Sequence, residues 1–376
     1  MSLNKKIGIL GGGQLGRMFI ENALRYDADI SIIDPAENAP CKHIVKNFTQ
    51  ASFKDYDDVL AFGKNLDIIT IEIEHVNTDA LAALEKLGKK VIPSSKAIEI
   101  IKDKGLQKQF YKTNGIISSD FVLIENKEDL KNHLNFLPAF QKSRTEGYDG
   151  KGVVFLKDKT DLDKAFDVPS ILEKAVEIEK ELSVIVVKNE KGEISVFPTV
   201  ELVFDPVYNL VDYLISPANI SEFQDKTAKE LAMKVCIALD SEGIFAVELF
   251  LDKSGNILVN ETAPRTHNSG HHTIESCASS QFDQQLRALL NLPLGDTSLR
   301  KKAAMVNIVG EENFDGKVIY QGLEEILALA DVYVHLYGKE TTKPGRKMGH
   351  ITILGENMDT IKEKIDFIKA NFKAIA

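Results

Sequence analysis

The sequence predicts an α/β protein, α+β overall, divided into two or three domains, and three observations carry that expectation. The N-terminal stretch runs strand, glycine turn, helix, strand, which opens a Rossmann-like unit with a parallel sheet. The middle of the chain switches to short strands joined by turns, with a hairpin signal at Asp252–Asn256. The length, 376 residues, exceeds what a single core usually organises.

Taken in order, Lys6–Leu10 reads as a buried strand and is followed at once by Gly11-Gly12-Gly13-Gln14-Leu15-Gly16. This matches G-x-G-x-x-G at a strand-to-helix turn, where bare amides and a helix N-terminus attract phosphate. A helix follows through Met18, Phe19, Ala23 and Leu24, and then a strand, Ile30–Ile33, ends in Asp34. An acid there would suit a ribose hydroxyl, so a nicotinamide- or flavin-linked oxidoreductase is one reading of this unit. Asp67–Val76 is a further strand, with Glu72 and Glu74 on one face near its carboxyl end, the edge at which open α/β sheets bind ligands. Leu81–Leu87 is helical, and Val91-Ile92-Pro93 closes the first domain.

Ser94-Ser95 caps a helix from about Ala97 to Thr113, and Phe121–Ile124 and Ala139–Lys142 are strands. Between Ser143 and the strand Val153–Leu156, the glycines Gly147, Gly150 and Gly152 make a mobile loop with exposed amides. Lys151 adds a point charge for phosphate, although the spacing is not that of a Walker loop. Ile171–Val176 is strand-like and carries Glu173, and Glu181–Val187 is a clear strand. Together they could line an adenine slot.

The hairpin is the most informative stretch. Phe245–Leu251 is apolar except for Glu248, and an apolar run from Ile257 ends in Asn260-Glu261. A two- or four-residue loop centred on Ser254-Gly255 sets Glu248 directly opposite Glu261, whereas a three-residue loop moves one acid off the pair. Facing carboxylates in an apolar hairpin repel and call for a cation, Mg²⁺ first. Beyond them Arg265, His267, Asn268 and His271 crowd a loop bounded by Pro264 and Gly270. Ser279–Leu290 reads as a helix burying Phe282, Leu286, Leu289 and Leu290. The C-terminal part alternates strands (Ala303–Val309, Val332–Tyr337, Ile351–Leu354) with helices (Leu323–Leu329, Met358–Phe372), a small α/β module.

A net charge of −10 argues against general binding to nucleic acid or to anionic membranes. Three separated cysteines, Cys41, Cys236 and Cys277, suggest neither a zinc site nor a disulfide scaffold and point to a reducing cytoplasm. No segment has transmembrane length, and no signal-peptide apolar region precedes Gly11.

Several stretches together resemble the N5-carboxyaminoimidazole ribonucleotide synthetases, ATP-grasp enzymes of purine biosynthesis. They are G-G-G-Q-L-G-R-M, G-Y-D-G-K-G, E-K-A-V with Glu181, N-E-x-A-P-R-x-H-N-S-G-H with its continuation to Gly295, and R-K-M-G-H at 346–350. The similarity keeps its order from about residue 6 to residue 354. It implies an ATP-grasp fold with a Rossmann-like preATP-grasp domain at 1–95. An ATP-grasp domain at 96–300, with its lid at about 115–188, and a small C-terminal domain at 301–376 complete it. It also implies a cytoplasmic homodimer that uses ATP and Mg²⁺, with Mn²⁺ as a substitute.

The implied reaction phosphorylates bicarbonate to carboxyphosphate and then carboxylates the amine of 5-aminoimidazole ribonucleotide. On this resemblance Lys104, Lys142, Gly147, Tyr148, Asp149, Gly150, Lys151, Gly152 and Val153 would meet ATP. Glu173, Lys174, Ala175 and Val176 would meet adenine, Glu181 the ribose, and Phe204 and Asn260 the nucleotide. Glu248 and Glu261 would hold the metal. Arg265, His267 and Asn268, with Asp149 and Lys151 from the loop, would hold bicarbonate and carboxyphosphate. Gly13, Gln14, Leu15, Glu72 and Glu74 would contact the ribonucleotide, and Lys339, Arg346 and Lys347 its 5′-phosphate. Two positions depart from the family pattern: Val153 replaces a frequent Gln, and Phe204 stands where a His reaches the nucleotide. The related transformylase and biotin carboxylase are alternatives that the R-T-H-N-S-G-H loop disfavours, and the oxidoreductase reading stays open here.

Overall fold

The structure, a computed structural model, describes residues 5–145, 152–205 and 210–376. Its N-terminal part is a five-stranded parallel sheet in the order β3-β2-β1-β4-β5. The strands are β1 (Lys6–Leu10), β2 (Asp29–Ile33), β3 (Asn47–Thr49), β4 (Ile68–Ile71) and β5 (Lys90–Val91). Helix α1 (Gln14–Ala23) follows the glycine turn, and α2 (Tyr56–Gly63) and α3 (Thr78–Lys86) complete the layers. Parallel strands are covered on both faces and so read as continuous apolar runs, which is why β1, β2 and β4 are legible. Strand β4 is shorter than the sequence suggests. Glu72 N–H still bonds the Leu10 carbonyl at 2.8 Å, but regular pairing ends at Ile71. Glu72 and Glu74 therefore sit just past the carboxyl edge of the sheet.

The single helix expected from Ala97 to Thr113 is two, α4 (Ser95–Lys102) and α5 (Lys104–Thr113). Asp103 breaks it with extended backbone, φ −114° and ψ 112°, and its carboxylate accepts from the amides of Gly105 and Leu106. Aspartate competes for backbone amides and favours an N-cap over a helix interior, so local chemistry wins over apolar periodicity.

A four-stranded antiparallel sheet comes next, in the order β6-β9-β7-β8, from β6 (Phe121–Ile124), β7 (Ala139–Ser143), β8 (Val153–Leu156) and β9 (Ser170–Lys174). The largest sheet is antiparallel and starts with β15 (Ile257–Ala263), β14 (Gly243–Asp252), β10 (Ile178–Lys188), β12 (Val200–Phe204) and β13 (Val211–Ser216). It continues through β16 (Lys302–Val309) into the strands Lys347–Gly355 and Val332–Leu336, while β11 (Ile194–Val196) pairs with β10. The C-terminal strands thus extend the sheet that carries the hairpin.

Strand alternation assigns the two faces of this sheet. Leu182, Val184, Val186, Phe245 and Val247 pack against Ala228, Leu231, Ala232 and Val235 of the helix Glu222–Ala238. The opposite face buries Ile185 and Val187 with Ile244 and Ala246. Followed along the strands, that second face runs on to Ser183, opposite Glu248, and then to Glu181. One face is apolar core at one end and polar site at the other. Strand β15 is the sheet edge, and the Gln107 side chain covers part of it by bonding both the amide and the carbonyl of Thr262.

Candidate active site

A cavity of about 370 Å³ lies between the four-stranded sheet, the hairpin β14–β15 and the segment after β4. Glu248 and Glu261 face each other across the hairpin in its wall, by a route different from the one the sequence suggests. The loop is the three-residue one: Leu251 pairs with Ile257, and Asp252 N–H bonds the Asn256 carbonyl at 3.0 Å. That register alone would offset the acids. The register shift between Val259 and Glu261 leaves Asn260 as an extra residue, a β-bulge that brings Glu261 back opposite Glu248.

Burial, then the charges of Glu261 and Glu181, push the Glu248 carboxyl well above the usual range. Lys104 holds Glu261 below it against the effect of burial, with Nζ 2.5 Å from Oε2. Burial also raises Glu181, to about 7, with Lys142 opposing. Three carboxylates share a wall whose nearest ammonium groups are Lys104 and Lys142, the latter donating to Asn260 Oδ1 at 3.2 Å. This donor set fits Mg²⁺: two facing carboxylates with a deficit of positive charge and a neighbouring amide oxygen, leaving further positions for phosphate and water. Among the described residues no cluster of three or more His, Cys, Asp or Glu side chains forms a metal cage.

The E-K-A-V segment divides its labour. Val176 and Lys174 line the cavity. The Lys174 ammonium donates to the Phe136 carbonyl at 3.0 Å, and the Ala175 amide donates to that of Pro138. Glu173 lines the cavity too, but the residue is only 2% exposed and its carboxylate lies on Lys108, Lys142 and Ser119. Val153, Phe204 and Glu181 line the cavity as well. Gly152 accepts from Ser143 N–H at 2.9 Å. Gly147, Tyr148, Asp149, Gly150 and Lys151 lie outside the described residues.

The loop after β15 is held in unusual detail. Arg265 forks onto Glu74, Nε to Oε2 at 2.6 Å and Nη2 to Oε1 at 3.1 Å. Burial opposes ionisation of Glu74, but Arg265 outweighs it and the carboxyl falls to about 2. His267 accepts the Ser269 amide at Nδ1, which leaves Nε2–H aimed at Glu248 Oε1, 3.5 Å away. Burial first, then Arg265 and Lys347, depress the imidazole to about 3, so it is a neutral donor. Asn268 exchanges amide hydrogen bonds with Asn307 at 2.8 and 3.0 Å.

Gln281, fully buried on the helix Gln281–Leu289, accepts His267 N–H and donates to the His267 carbonyl, both at 2.9 Å. A Cβ at Gly270 would lie 2.3 Å from Ile185 Cδ1 and 2.4 Å from Gln281 Oε1, so any larger residue there must displace both side chains. Sequence reading missed Gln281, Asn307 and Lys108. Each sits in an ordinary helix or strand pattern, and only long-range packing brings it to the site.

The N-terminal glycine turn differs from a phosphate cradle. Gly12 N–H donates to Asp34 Oδ2 at 2.7 Å, and Leu15 N–H to Glu72 Oε1 at 3.1 Å. Two carboxylates of the chain's own already occupy these amides, and a pyrophosphate there would meet both. The dinucleotide reading fails on this geometry. Gly13, Gln14 and Leu15 lie with Glu72 outside the main cavity wall, while Glu74 is in it. Of the basic cluster, Lys347 lines the cavity. Lys339 donates to the Lys347 carbonyl at 2.6 Å, and Arg346 turns to Thr341. Arg17 approaches Gly338, whose φ of +71° and missing Cβ admit the guanidinium.

Residues 109–282 match the ATP-grasp domain, 4–102 the ribonucleotide synthetase preATP-grasp domain, and 303–364 the phosphoribosylaminoimidazole carboxylase C-terminal domain. Fold and site together define an ATP-grasp ligase. The N5-carboxyaminoimidazole ribonucleotide synthase of Bacillus subtilis is 37% identical, over 94% of this chain and 92% of its own length. The synthetase of Thermotoga maritima is 42% identical with a TM-score of 0.91, covering 99% of both chains. The Aspergillus clavatus synthase, solved with ADP and 5-aminoimidazole ribonucleotide, is 35% identical with a TM-score of 0.90, covering 98% of this chain and 99% of that one. The chain also spans 66 to 70% of longer yeast and plant phosphoribosylaminoimidazole carboxylases. It belongs to the N5-carboxyaminoimidazole ribonucleotide synthetase family.

Proposed function

We propose that the chain carboxylates the exocyclic amine of 5-aminoimidazole ribonucleotide with ATP and bicarbonate, giving N5-carboxyaminoimidazole ribonucleotide, ADP and phosphate in purine biosynthesis. The observation that carries this reading is one cavity bordered by Lys104 and Lys142, by the facing acids Glu248 and Glu261, by Arg265 and His267, and by Lys347. Bicarbonate attacks the γ-phosphorus of ATP, carboxyphosphate forms, and the amine then takes the carboxyl group as phosphate leaves. Such transfer needs charge balance and positioning more than covalent help. Lys104 and Lys142 offset the phosphates. Glu248 and Glu261, with Asn260, would hold Mg²⁺, which when bound neutralises phosphate oxygens. Arg265, oriented by Glu74, and neutral His267, donating through Nε2, receive the bicarbonate and the acid anhydride.

The ribonucleotide lies between the Gly13–Leu15 turn with Glu72 and the C-terminal basic residues, Lys347 foremost. We read the working form as a cytoplasmic homodimer. The test is ADP release by the purified protein with each substrate omitted in turn. Release should require both bicarbonate and aminoimidazole ribonucleotide. Release indifferent to both defeats the reading.

A further inference from the structure

Beneath the cavity floor lies a charge that the reaction as described does not use. Lys108, on α5, is 3% exposed and is not part of the cavity wall. Its Nζ contacts Ser119 Oγ at 3.1 Å and forms an ion pair with Glu173 Oε1. The other oxygen of Glu173 is 2.6 Å from Lys142 Nζ, and Lys142, in the wall, reaches on to Asn260. Ser119 donates to Glu173 as well. The arrangement is a line of charges running into the site: ammonium, carboxylate, ammonium.

We propose that Lys108 is a positioning residue for nucleotide turnover: it balances Glu173 from below, so that Lys142 keeps a net positive charge for the phosphates. The inference rests on the reading of Lys142 as a phosphate-facing cation. Two ammonium groups and one carboxylate sum to +1. Without Lys108, Glu173 and Lys142 form a formally neutral pair, and the charge of Lys142 is spent inside the protein.

Stability alone does not call for the third charge. Burying an ammonium is unfavourable, and an apolar residue at 108 would leave a complete pair behind it. Burial would raise Glu173, but Lys142 and Lys108 hold it ionised at about 2. Burial lowers Lys108, and Glu173 opposes that effect. The other groups felt by Lys108 are Lys142 from β7 and Glu261 from β15, and Lys142 is felt in turn by Glu181 and Glu248.

The experiment measures ATP affinity by calorimetry, alongside thermal melts and steady-state turnover, for K108M, K108R, E173Q and E173Q/K108M. K108M should weaken ATP binding about tenfold, the scale of one charge-assisted contact, with an unchanged or higher Tm. K108R should keep near-normal affinity. E173Q removes the carboxylate that draws on Lys142, so its ATP affinity should not fall to that of K108M. In E173Q/K108M the carboxylate and its counter-charge are both gone, Lys142 is left with its full charge, and affinity should recover from the K108M level towards wild type.

Wild-type affinity in K108M overturns the proposal, and so does an affinity in E173Q/K108M no higher than in K108M. A fall in Tm that parallels the loss of affinity would reduce Lys108 to a structural role. Should the wild type bind ATP without carboxylating the ribonucleotide, the ligase reading fails while Lys108 is still judged by affinity. A wild type that does not bind ATP overturns both.

Discussion

The glycine turn and the carboxylate hairpin invite opposite readings from sequence, and in the fold they exchange importance. At Gly11–Gly16 the amides that might receive a phosphate already bond Asp34 and Glu72. At the hairpin, Glu248 and Glu261 oppose each other with Glu181 close by and with Lys104 and Lys142 as the nearest ammonium groups. One place has committed its amides to the chain's own carboxylates; the other sets its carboxylates against each other. A motif reports what a backbone can do, whereas charge balance reports what it still lacks, and the second is the better guide to where a ligand goes.

The most severe way to break this comparison is Glu261→Gln. If the hairpin is the unfilled charge site, turnover should fall by on the order of a thousandfold, a loss of several kcal/mol in transition-state stabilisation. The variant loses both a metal-facing carboxylate and the partner of Lys104. Melting should stay close to wild type, because relief of the Glu248–Glu261 repulsion offsets the lost pair. Near-normal turnover would remove Glu261 from the site.

Lys347→Ala tests whether the ribonucleotide phosphate sits at the far end of the same cavity. A charge-assisted contact contributes about 1.5–3 kcal/mol, so KM for the ribonucleotide should rise about tenfold to a hundredfold, and KM for ATP much less. An equal rise in both would contradict the assignment. Smaller still is Gly270→Ala, which probes the support under the hairpin loop. The added methyl meets Ile185 and Gln281, and overpacking of this kind costs about 1–3 kcal/mol. The Tm should fall and turnover with it, since Gln281 holds both backbone groups of His267. An unchanged Tm would mean the loop has slack that the geometry denies.

The parts of the molecule legible in sequence are those fixed by neighbours along the chain. Strands β1, β2 and β4, the glycine turn and the hairpin follow from local periodicity and turn residues. The break at Asp103 is equally local, yet the apolar spacing of Ile98, Ile101, Leu106 and Phe110 runs straight through it and hides it. The opposition of Glu248 and Glu261 rests on a bulge at Asn260 that no single-sequence pattern announces. Lys108, Gln281 and Asn307 carry no local mark at all. Each is a polar residue in a regular element, and only packing between sheets shows that its partner is Glu173, His267 or Asn268. Similarly, the pairing of β13 with β16, which joins the C-terminal strands to the main sheet, spans too much sequence for periodicity to reveal.

The smallest effect sharpens the comparison from the side of the glycine turn. Burial, only partly offset by Arg265 and by the amides of Leu15 and Gly16, raises the Glu72 carboxyl from 4.5 to about 7. Between those values the folded protein holds this proton more tightly than the unfolded chain does. The contribution of Glu72 to stability therefore falls as pH rises through that window, and the full penalty is present above it. Glu72→Gln keeps an oxygen for Leu15 N–H but has no proton to lose. It should melt close to wild type at about pH 5 and show a gain of about 2–3 kcal/mol at about pH 8. Other buried acids, Glu181 and Glu248 among them, bend both curves alike, so the difference between variant and wild type is the quantity to follow. A flat difference would mean that ionised Glu72 sits at the helix N-terminus without penalty. The glycine turn would then compensate its own acid fully, and the contrast with the hairpin would be sharper.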